Sequence, residues 1–539
     1  MTLRRRTIGA VVAALVAVTV AVAIFTGVGR PPGVDPQVSP SPAVTGEATG
    51  APTEPAAVDA SQFVSRDGDA FVLAGEPFLA AGSNNYRPMF LDPAVVDQVM
   101  AAAADNGHTV LRAWAFNDIG DPDDPATSID PQNTTTYFQY WDTDAGAPAF
   151  NEGEKGLEAL DRMVASAKEH DVRLVLPFVN NWGPFGGMDQ YVSWAGAEYH
   201  SDFYTDEQIR QWYKDWVEHL LTRVNTITGV AYRDEPTIMA WELANEARCL
   251  AAGDYEAGPD CTTETITAWA TEMAAFVKSI DGNHLVGFGD EGFMCEPGAD
   301  HFAYDCSQGT DSRAIAQIED IDMVGLHVYP DHWGTTVDWS EQWILDHVAL
   351  AAEVDKPVFI GELGWRGQAP RNAVFHQWLS AYFEQGGDVA LYWLMQPRDE
   401  YSTPPDSDGF TAYCPGAVCT QVGMWTRSLN GETDLPPVAD TDVLVSSVDL
   451  VGSVDLLAND VSLASELDRT SVDLDPATDG VQATLSTPEG ELSVADGVLT
   501  FTPVAGWSGR SQLTYTVADL AGRVGEPASV TVRVTAIDG

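Results

Sequence analysis

The sequence predicts an α/β fold: a (β/α)₈ TIM barrel followed by a small all-β sandwich. Three observations predict it. Strand-like segments alternate with helix-like segments across residues 59–433, which is typical of a parallel sheet. Polar side chains stand at the carboxyl ends of several of these strands. Across residues 434–539 the chain changes to short strand-like runs with Gly, Pro and Asp breaks, no Lys, and three aromatic residues.

Eight strand-like segments define the predicted barrel. They are residues 78–86, 109–116, 172–179, 237–246, 285–292, 321–330, 357–365 and 389–396. Helix-like segments follow the first seven, at residues 93–107, 156–171, 206–225, 262–281, 311–320, 340–355 and 371–387. This repeat favours a closed barrel. An open doubly wound sheet is the alternative, but the Gly-rich phosphate turn usual in that fold does not follow the first strand.

The segment after the eighth strand lacks a strong helix pattern. Residues 397–433 read as a long loop that contains Cys414 and Cys419 and then GMWTRSLNG. We therefore expect the last barrel helix to be short or absent.

The N-terminus predicts export. In residues 1–29, three arginines precede an uncharged, mostly apolar run over 8–28. This pattern is typical of a signal peptide, but the run also reaches membrane-spanning length, so an uncleaved anchor stays open. Residues 30–58 are rich in Pro, Thr and Ala and predict a flexible linker. We expect the rest of the chain to be extracellular, or at the cell surface if the segment is not cleaved.

The charge of the chain limits its partners. The formal net charge is −53, so nucleic acid is excluded as a partner, because phosphate binding needs clustered Lys and Arg. A polyanionic polysaccharide would be repelled. A neutral polysaccharide fits, and we expect a monomer.

Six cysteines fit an exported protein. They lie in close pairs, and near-neighbour pairing is the simplest of the fifteen possible pairings. The predicted disulfides are Cys249–Cys261, Cys295–Cys306 and Cys414–Cys419. A zinc site is disfavoured because C-x-x-C spacing is absent, and the sequence predicts neither a metal nor a cofactor.

Chemistry-bearing side chains come from five of the predicted strand ends, where barrel enzymes place their chemistry. They are Arg112, Asn245, Glu246, His327, Tyr329, Glu362 and Trp393. Two Glu on one rim suggest glycoside hydrolysis, in which one donates a proton and the other attacks the anomeric carbon. Arg112 would favour the ionised form of a nearby carboxylate.

These motifs resemble glycoside hydrolase family 5, and within it the endo-β-1,4-mannanase branch. The matching stretches are LRAWAFND, FVNNWGPFGG, WELANEARC, HVYP, GELGW and YWL. The resemblance implies that Glu246 is the acid/base and Glu362 the nucleophile. It further implies that Asn245 contacts the sugar 2-hydroxyl and that Trp393 is a platform under the ring.

The resemblance also implies that Arg112 and Tyr329 hold the nucleophile, with His327 close by. Trp182 and Trp114 follow strand ends, and we expect both to contact substrate. One departure is Ala247, where the branch usually has Pro; this loss of a rigid residue is expected to loosen Arg248.

Two other functions stay open. One is another family 5 activity, such as an endo-β-glucanase, because the sequence does not resolve recognition of the 2-hydroxyl. The other is a non-catalytic carbohydrate-binding or adhesion protein. The segment after residue 434 resembles bacterial Ig-like or cadherin-like repeats through VDLLAND and LTYTVADLAG, which favours a spacer or adhesive role.

Overall fold

The structure is a computed structural model that describes residues 59–250, 253, 255–367, 370–398 and 408–536. The predicted signal or anchor segment and the linker lie outside the described residues. Within the described part of the chain, no helix has both the length and the apolar character needed to cross a bilayer.

Eight parallel strands form the central sheet, as predicted. They are β1 (Ala80–Asn84), β2 (Val110–Arg112), β3 (Arg173–Pro177), β4 (Ile238–Glu242), β5 (Leu285–Gly287), β6 (Val324–Val328), β7 (Val358–Leu363) and β8 (Val389–Tyr392). Their order is β5-β4-β3-β2-β1-β8-β7-β6, with every pairing parallel. Asp322 joins the two ends: its amide donates to Val286 O at 2.7 Å, and its carboxylate accepts from Val286 N at 2.8 Å. The sheet is thereby linked into a barrel.

Eight helices follow the strands. They are α1 (Pro93–Asp105), α2 (Leu157–Glu169), α3 (Glu207–Thr222), α4 (Thr263–Ile280), α5 (Ser312–Ala316), α6 (Val337–Val354), α7 (Arg371–Glu384) and α8 (Ala417–Leu429). Side chains of Asp92, Asp206, Thr262 and Thr336 accept from backbone N–H groups in the first turns of α1, α3, α4 and α6. Such N-caps satisfy amides that the helix itself leaves unpaired.

The expectation of a short or absent last helix was wrong, because α8 has 13 residues. It docks on β1 through Thr426, whose hydroxyl donates to Ala81 O at 2.8 Å and accepts from Ala81 N at 2.9 Å. Gly423 lies against the end of α1, where a Cβ would stand 1.6 Å from Asn106 O. The glycine that weakens the helix pattern in the sequence is therefore what permits the contact.

Shorter elements decorate the barrel. The additional α-helices are Gly187–Ala195, Asp202–Thr205 and Pro330–Trp333. The additional strands are Val64–Asp67, Ala70–Leu73, Glu76–Pro77, Asp118–Ile119, Gln139–Asp142, Ala147–Phe150, Met395–Pro397 and Ala412–Cys414. The 3₁₀ turns of this part of the chain are Ala60–Gln62, Arg87–Met89, Pro125–Thr127 and Tyr232–Asp234, and a further one, Leu456–Ala458, lies in the C-terminal region.

The C-terminal region is all-β, as predicted. Its strands are β9 (Asp442–Ser447), β10 (Gly452–Asp455), β11 (Thr484–Thr487), β12 (Gly490–Ala495), β13 (Val498–Pro503), β14 (Gly509–Tyr515) and β15 (Ala528–Thr535). They form two sheets, β9-β15-β14 and β10-β13-β12-β11. The core between them contains Leu444, Phe501 and Tyr515.

A small apolar cluster connects this region to the barrel. Met424 of α8 packs with Leu435, Val438 and Val461, and all four are buried. A hydrogen bond from Asn372 Nδ2 to Asn459 O, 2.9 Å long, adds to the contact. The last barrel helix is thus covered by the C-terminal region.

The structure pairs the cysteines as near neighbours. The bonds are Cys249–Cys261, Cys295–Cys306 and Cys414–Cys419. The first two close loops that follow β4 and β5, at the end of the barrel where the strand-end polar residues lie.

Candidate active site

Glu362 lies on β7, and its carboxylate accepts hydrogen bonds from the guanidinium of Arg112 and the hydroxyl of Tyr329. Arg112 Nη1 donates to its Oε1 at 2.7 Å, and the Tyr329 hydroxyl donates to its Oε2. Arg112 ends β2 and Tyr329 directly follows β6, so the barrel brings three strands to one carboxylate. Hydrogen bonds to both oxygens favour the ionised form.

Arg112 is fixed on its other side by two further groups. Its Nε donates to Glu242 Oε2 at 2.8 Å and its Nη2 to Asn245 Oδ1 at 2.7 Å. The guanidinium is fully buried, so these acceptors compensate for its removal from water. Sequence reasoning missed Glu242. The available signal was an acid closing an otherwise apolar strand in WELANE.

Glu246 follows β4 in the left-handed backbone region, with φ of 57°. His327 Nδ1 lies 2.8 Å from its Oε1, and Trp182 Nε1 donates to its Oε2 at 2.5 Å. Its own amide donates to Gly289 O at 2.7 Å. Any Cβ at position 289 would stand 2.0 Å from Ala244 O, so glycine is needed there for the loops to approach. The unusual φ is held in place by these contacts.

The two carboxylates and His327 titrate as one group of interacting sites. Burial disfavours the charge of Glu246, but its hydrogen bond to His327 and the imidazolium charge lower the pKa of Glu246 to about 2. Burial raises the pKa of Glu362, with a further rise from Glu246, against the opposing charges of His327 and Arg112. Burial would lower the pKa of His327, yet the two carboxylates raise it above 6.5. A proton is therefore retained between His327 and Glu246.

Asn245 lies beside these groups with its amide oriented from both ends. Its Oδ1 accepts from Arg112, and its Nδ2 donates to Asn180 Oδ1 at 2.9 Å. Asn180, which sequence reasoning missed, follows β3 and pairs with Asn245 through a backbone bridge. The carboxamide orientation is thus set before any ligand arrives.

Aromatic rings form one wall of the site. Trp393 stacks on Tyr86 at 5.7 Å and on Trp114 at 5.8 Å between ring centroids. Trp393 Nε1 donates to Asp408 Oδ2 at 3.0 Å, which orients the indole. Flat aromatic faces with polar edges suit ligands that combine apolar C–H surface with hydroxyl groups.

Arg248, which the absence of a proline at position 247 was expected to loosen, is held by an ion pair and two aromatic rings. Its Nε donates to Glu291 Oε2 at 2.6 Å, and its Nη2 bonds Glu291 Oε1. Its guanidinium also lies 4.8 Å from the ring centroids of Trp182 and Phe293. The bidentate ion pair and the two ring contacts fix the orientation of the guanidinium.

These residues surround a cleft of about 440 Å³. Of the predicted site residues, those lining it are Trp114, Trp182, Asn245, Glu246, Tyr329, Glu362 and Trp393. Arg112 and His327 lie behind the surface, each 1 % exposed, and act on the carboxylates from beneath. Further lining residues that the sequence did not single out include Phe302, His332, Trp333 and Asp408.

One group in the described residues has ligand atoms spaced closely enough for a metal ion. It consists of Glu246, His327 and Glu362, whose ligand atoms lie within 4.8 Å of one another. The same atoms already form hydrogen bonds with one another and with Tyr329, and Arg112 already neutralises charge on Glu362. The arrangement is therefore suited to proton transfer and nucleophilic attack by the protein's own groups.

Two family models match this chain. The family model described as "GH family 5 beta-mannosidase-like" matches residues 61–381. The chain belongs to glycoside hydrolase family 5. A second family model, "Bacterial Ig domain", matches residues 434–535.

Curated relatives of this family 5 chain carry mannanase names. A "Probable mannan endo-1,4-beta-mannosidase F" of Aspergillus oryzae is 33% identical over 63% of this chain and 70% of its own. A "Probable mannan endo-1,4-beta-mannosidase C" of Aspergillus terreus is 39% identical over 56% of this chain and 73% of its own.

Two solved mannanase structures have a similar fold. The endo-1,4-beta-mannanase from Rhizomucor miehei is 35% identical, with a TM-score of 0.64, over 69% of this chain and 100% of its own. The endo-1,4-beta-D-mannanase from Thermotoga petrophila is 36% identical, with a TM-score of 0.57, over 65% of this chain and 100% of its own.

Proposed function

We propose that this chain is a retaining endo-β-1,4-mannanase that hydrolyses β-1,4-mannosidic bonds in mannan, galactomannan and glucomannan. One observation supports the chemistry above others. Oxygens of Glu246 and Glu362 lie within 4.8 Å of each other across the cleft. Retaining enzymes hold their carboxyl groups about 5–5.5 Å apart, whereas inverting enzymes leave room for a water between them. The names of the relatives support mannan as the substrate.

Glu362 acts as the nucleophile, and Glu246 acts as the acid once it has taken a proton from His327. Glu362, held by Arg112 and Tyr329, attacks the anomeric carbon as the bond to the leaving oxygen breaks. Glu246 gives that oxygen a proton, and a glycosyl-enzyme forms on Glu362. Glu246, now ionised, then takes a proton from water, whose oxygen attacks the anomeric carbon and releases Glu362.

The proton for the first step is stored in the His327–Glu246 pair. In the resting pair the proton favours the imidazole, because the pKa of Glu246 is lowered to about 2. Transfer from His327 Nδ1 to Glu246 Oε1, over 2.8 Å, produces the neutral acid that catalysis requires. We assign Asn245 to the sugar 2-hydroxyl. Asn245 Nδ2 donates one of its two hydrogens to Asn180, which leaves the other for a ligand. Trp393, Trp182 and Trp114 are assigned to the sugar faces.

A substrate panel tests this function. Release of reducing ends from galactomannan and glucomannan is expected, and Glu362→Ala should abolish it. Glu384→Gln, on the exposed side of α7, is the matched control. Cleavage of cellulose without cleavage of mannans would replace mannanase by endo-β-glucanase and keep the mechanism. Binding without cleavage would indicate a carbohydrate-binding or adhesion protein. Proton NMR should show β-configured products at first turnover.

We also place the enzyme outside the cytoplasm, either secreted or attached through residues 8–28. The arginine-led apolar N-terminus and the three disulfides support this location. We assign residues 59–433 to a catalytic domain that acts as a monomer, and residues 434–539 to an Ig-like spacer or adhesive domain. Mass spectrometry of the exported chain would show whether residues 1–29 are removed.

A further inference from the structure

A hairpin follows β5 and reaches the cleft. Across it, Met294 N donates to Ala303 O at 3.0 Å and Glu296 N donates to Tyr304 O at 2.6 Å. The Cys295–Cys306 disulfide closes its base. Residues 293–308 are called the 293–308 hairpin below. The crosslink constrains the position of this hairpin together with these backbone hydrogen bonds.

Phe302 is the residue that the 293–308 hairpin brings to the cleft wall. Its ring is half-buried and contacts Phe293 edge-on at 5.6 Å and Trp333 at 6.5 Å between centroids. Ala303, the next residue, is fully buried, which anchors the backbone behind the ring. Phe302 therefore presents a partly open aromatic surface supported by packed neighbours.

Contacts connect Phe302 to the acid side of the site. Trp182 donates to Glu246, Arg248 lies over the ring of Trp182, and the same guanidinium lies over Phe293. Phe293 then packs on Phe302. Trp393 is instead connected to the nucleophile, since Trp393 N donates to Leu363 O, next to Glu362, at 2.9 Å.

The different connections of Phe302 and Trp393 indicate which sugars each ring would contact. The acid protonates the leaving oxygen, so the departing sugars extend from Glu246, past Trp182, towards Phe302. The sugar that forms the glycosyl-enzyme stays beside Glu362 and Trp393. An aromatic ring on the departing side therefore acts on the leaving chain and on incoming acceptors.

We propose that Phe302 is a platform for the leaving-group sugars and that the Cys295–Cys306 disulfide holds it in position. The inference rests on the proposed function and adds a specificity-determining residue to it. The ring supplies binding energy to substrates that extend beyond the cleavage site on the acid side. A substrate that ends at the cleavage site gains nothing from it.

Two substrates separate this role from a purely structural one. Mannohexaose places sugars on both sides of the cleavage site, whereas an activated aryl mannobioside places an aryl group where the leaving sugars would begin. Phe302→Ala should lower kcat/KM for mannohexaose on the order of tenfold and leave kcat/KM for the aryl mannobioside unchanged. Phe302→Tyr should restore the mannohexaose value.

A separate variant tests whether the Cys295–Cys306 disulfide holds Phe302 in position. Cys295→Ser with Cys306→Ser should reproduce the mannohexaose-selective loss, while wild-type mannohexaose kinetics would overturn the role of the crosslink. Phe276→Ala, a half-buried aromatic of α4 outside the cleft lining, is the control for general loss of packing.

Equal losses on both substrates in Phe302→Ala, or no loss on mannohexaose, would overturn the platform. Failure of the wild-type chain to cleave either substrate would instead refute the proposed mannanase function.

Discussion

Arg112 and Glu242 form a fully buried ion pair, 2.8 Å from Nε to Oε2, next to the carboxylate of Glu362. Arg112 carries the charge that steadies Glu362, and Glu242 is the acid that keeps Arg112 in place from the other side. The partner of Glu362 is thus itself positioned by a residue that does not line the cleft.

Removing the charge of Glu242 should therefore damage both stability and catalysis. We expect Glu242→Gln to lower the free energy of unfolding by about 3 kcal/mol, because one partner of a buried pair is lost. We also expect kcat to fall more than about tenfold, since Arg112 can shift away from Glu362. Denaturant unfolding and steady-state kinetics measure the two effects. Glu432→Gln breaks the exposed pair with Arg427 and should cost less than about 1 kcal/mol.

His327→Gln should shift the basic limb of the pH–rate profile towards lower pH. In the wild type, the proton shared with Glu246 leaves with an apparent pKa above 6.5, because the two carboxylates raise the pKa of His327. Without the imidazole, the catalytic proton resides on Glu246 alone and is lost at lower pH. The measurement is kcat/KM on mannohexaose from pH 4 to pH 9. The control is His170→Gln, at a surface pair with Asp97, which should leave the pH–rate profile unchanged. A basic limb that does not move in His327→Gln would contradict a proton shared between His327 and Glu246.

The C-terminal region should lose stability as the pH rises. Burial raises the pKa of Asp460 from 3.8 to about 8 and that of Asp442 to about 7. Both folded-state values lie above the unfolded value, so the stabilisation is complete below about pH 4 and disappears as the pH passes about 8. Asp460→Asn should raise the unfolding temperature at pH 9 relative to wild type. Asp496→Asn, 82% exposed in its side chain, should not; calorimetry at pH 5 and pH 9 compares them.

Gly423→Ala should loosen the last barrel helix. The new Cβ would stand 1.6 Å from Asn106 O, so α8 must move away from α1. We expect a loss of about 2–4 kcal/mol in the free energy of unfolding, by the cost of overpacking a close contact. Gly282→Ala, which meets nothing within 4 Å, is the matched control and should be neutral. Equal stability of the two variants would mean that the close approach is not required.

The position of Glu246 and Glu362 at one end of the barrel was predictable because each Glu ends or follows a strand pattern in a recognisable motif. Glu362 and Glu246 are identified by GELGW and WELANE, and strand alternation places them at one end of the barrel. Glu242 was missed because the one local signal, an acid that closes an otherwise apolar strand, does not show which residue the acid pairs with. Its role exists only through Arg112, 130 positions away.

Two further features that the sequence did not predict, helix α8 and the contacts of Arg248, also have physical causes. Helix α8 was not predicted because Gly423 and Cys419 weaken the helix propensity of this segment. Packing against β1 and the C-terminal region stabilises the helix. The anchoring of Arg248 was not visible because its partner, Glu291, comes from another strand end. Local sequence preference determines such features less than contacts made after folding.

The apolar cluster between α8 and the C-terminal region limits how family members can be recombined. Met424 belongs to the barrel, yet Leu435, Val438 and Val461 of the following region cover it. A chimera that grafts a foreign module after residue 433 would leave that methionine facing water. Modular exchange in this architecture therefore has to transfer the three covering residues together with the Ig-like domain, or else redesign the outer face of α8.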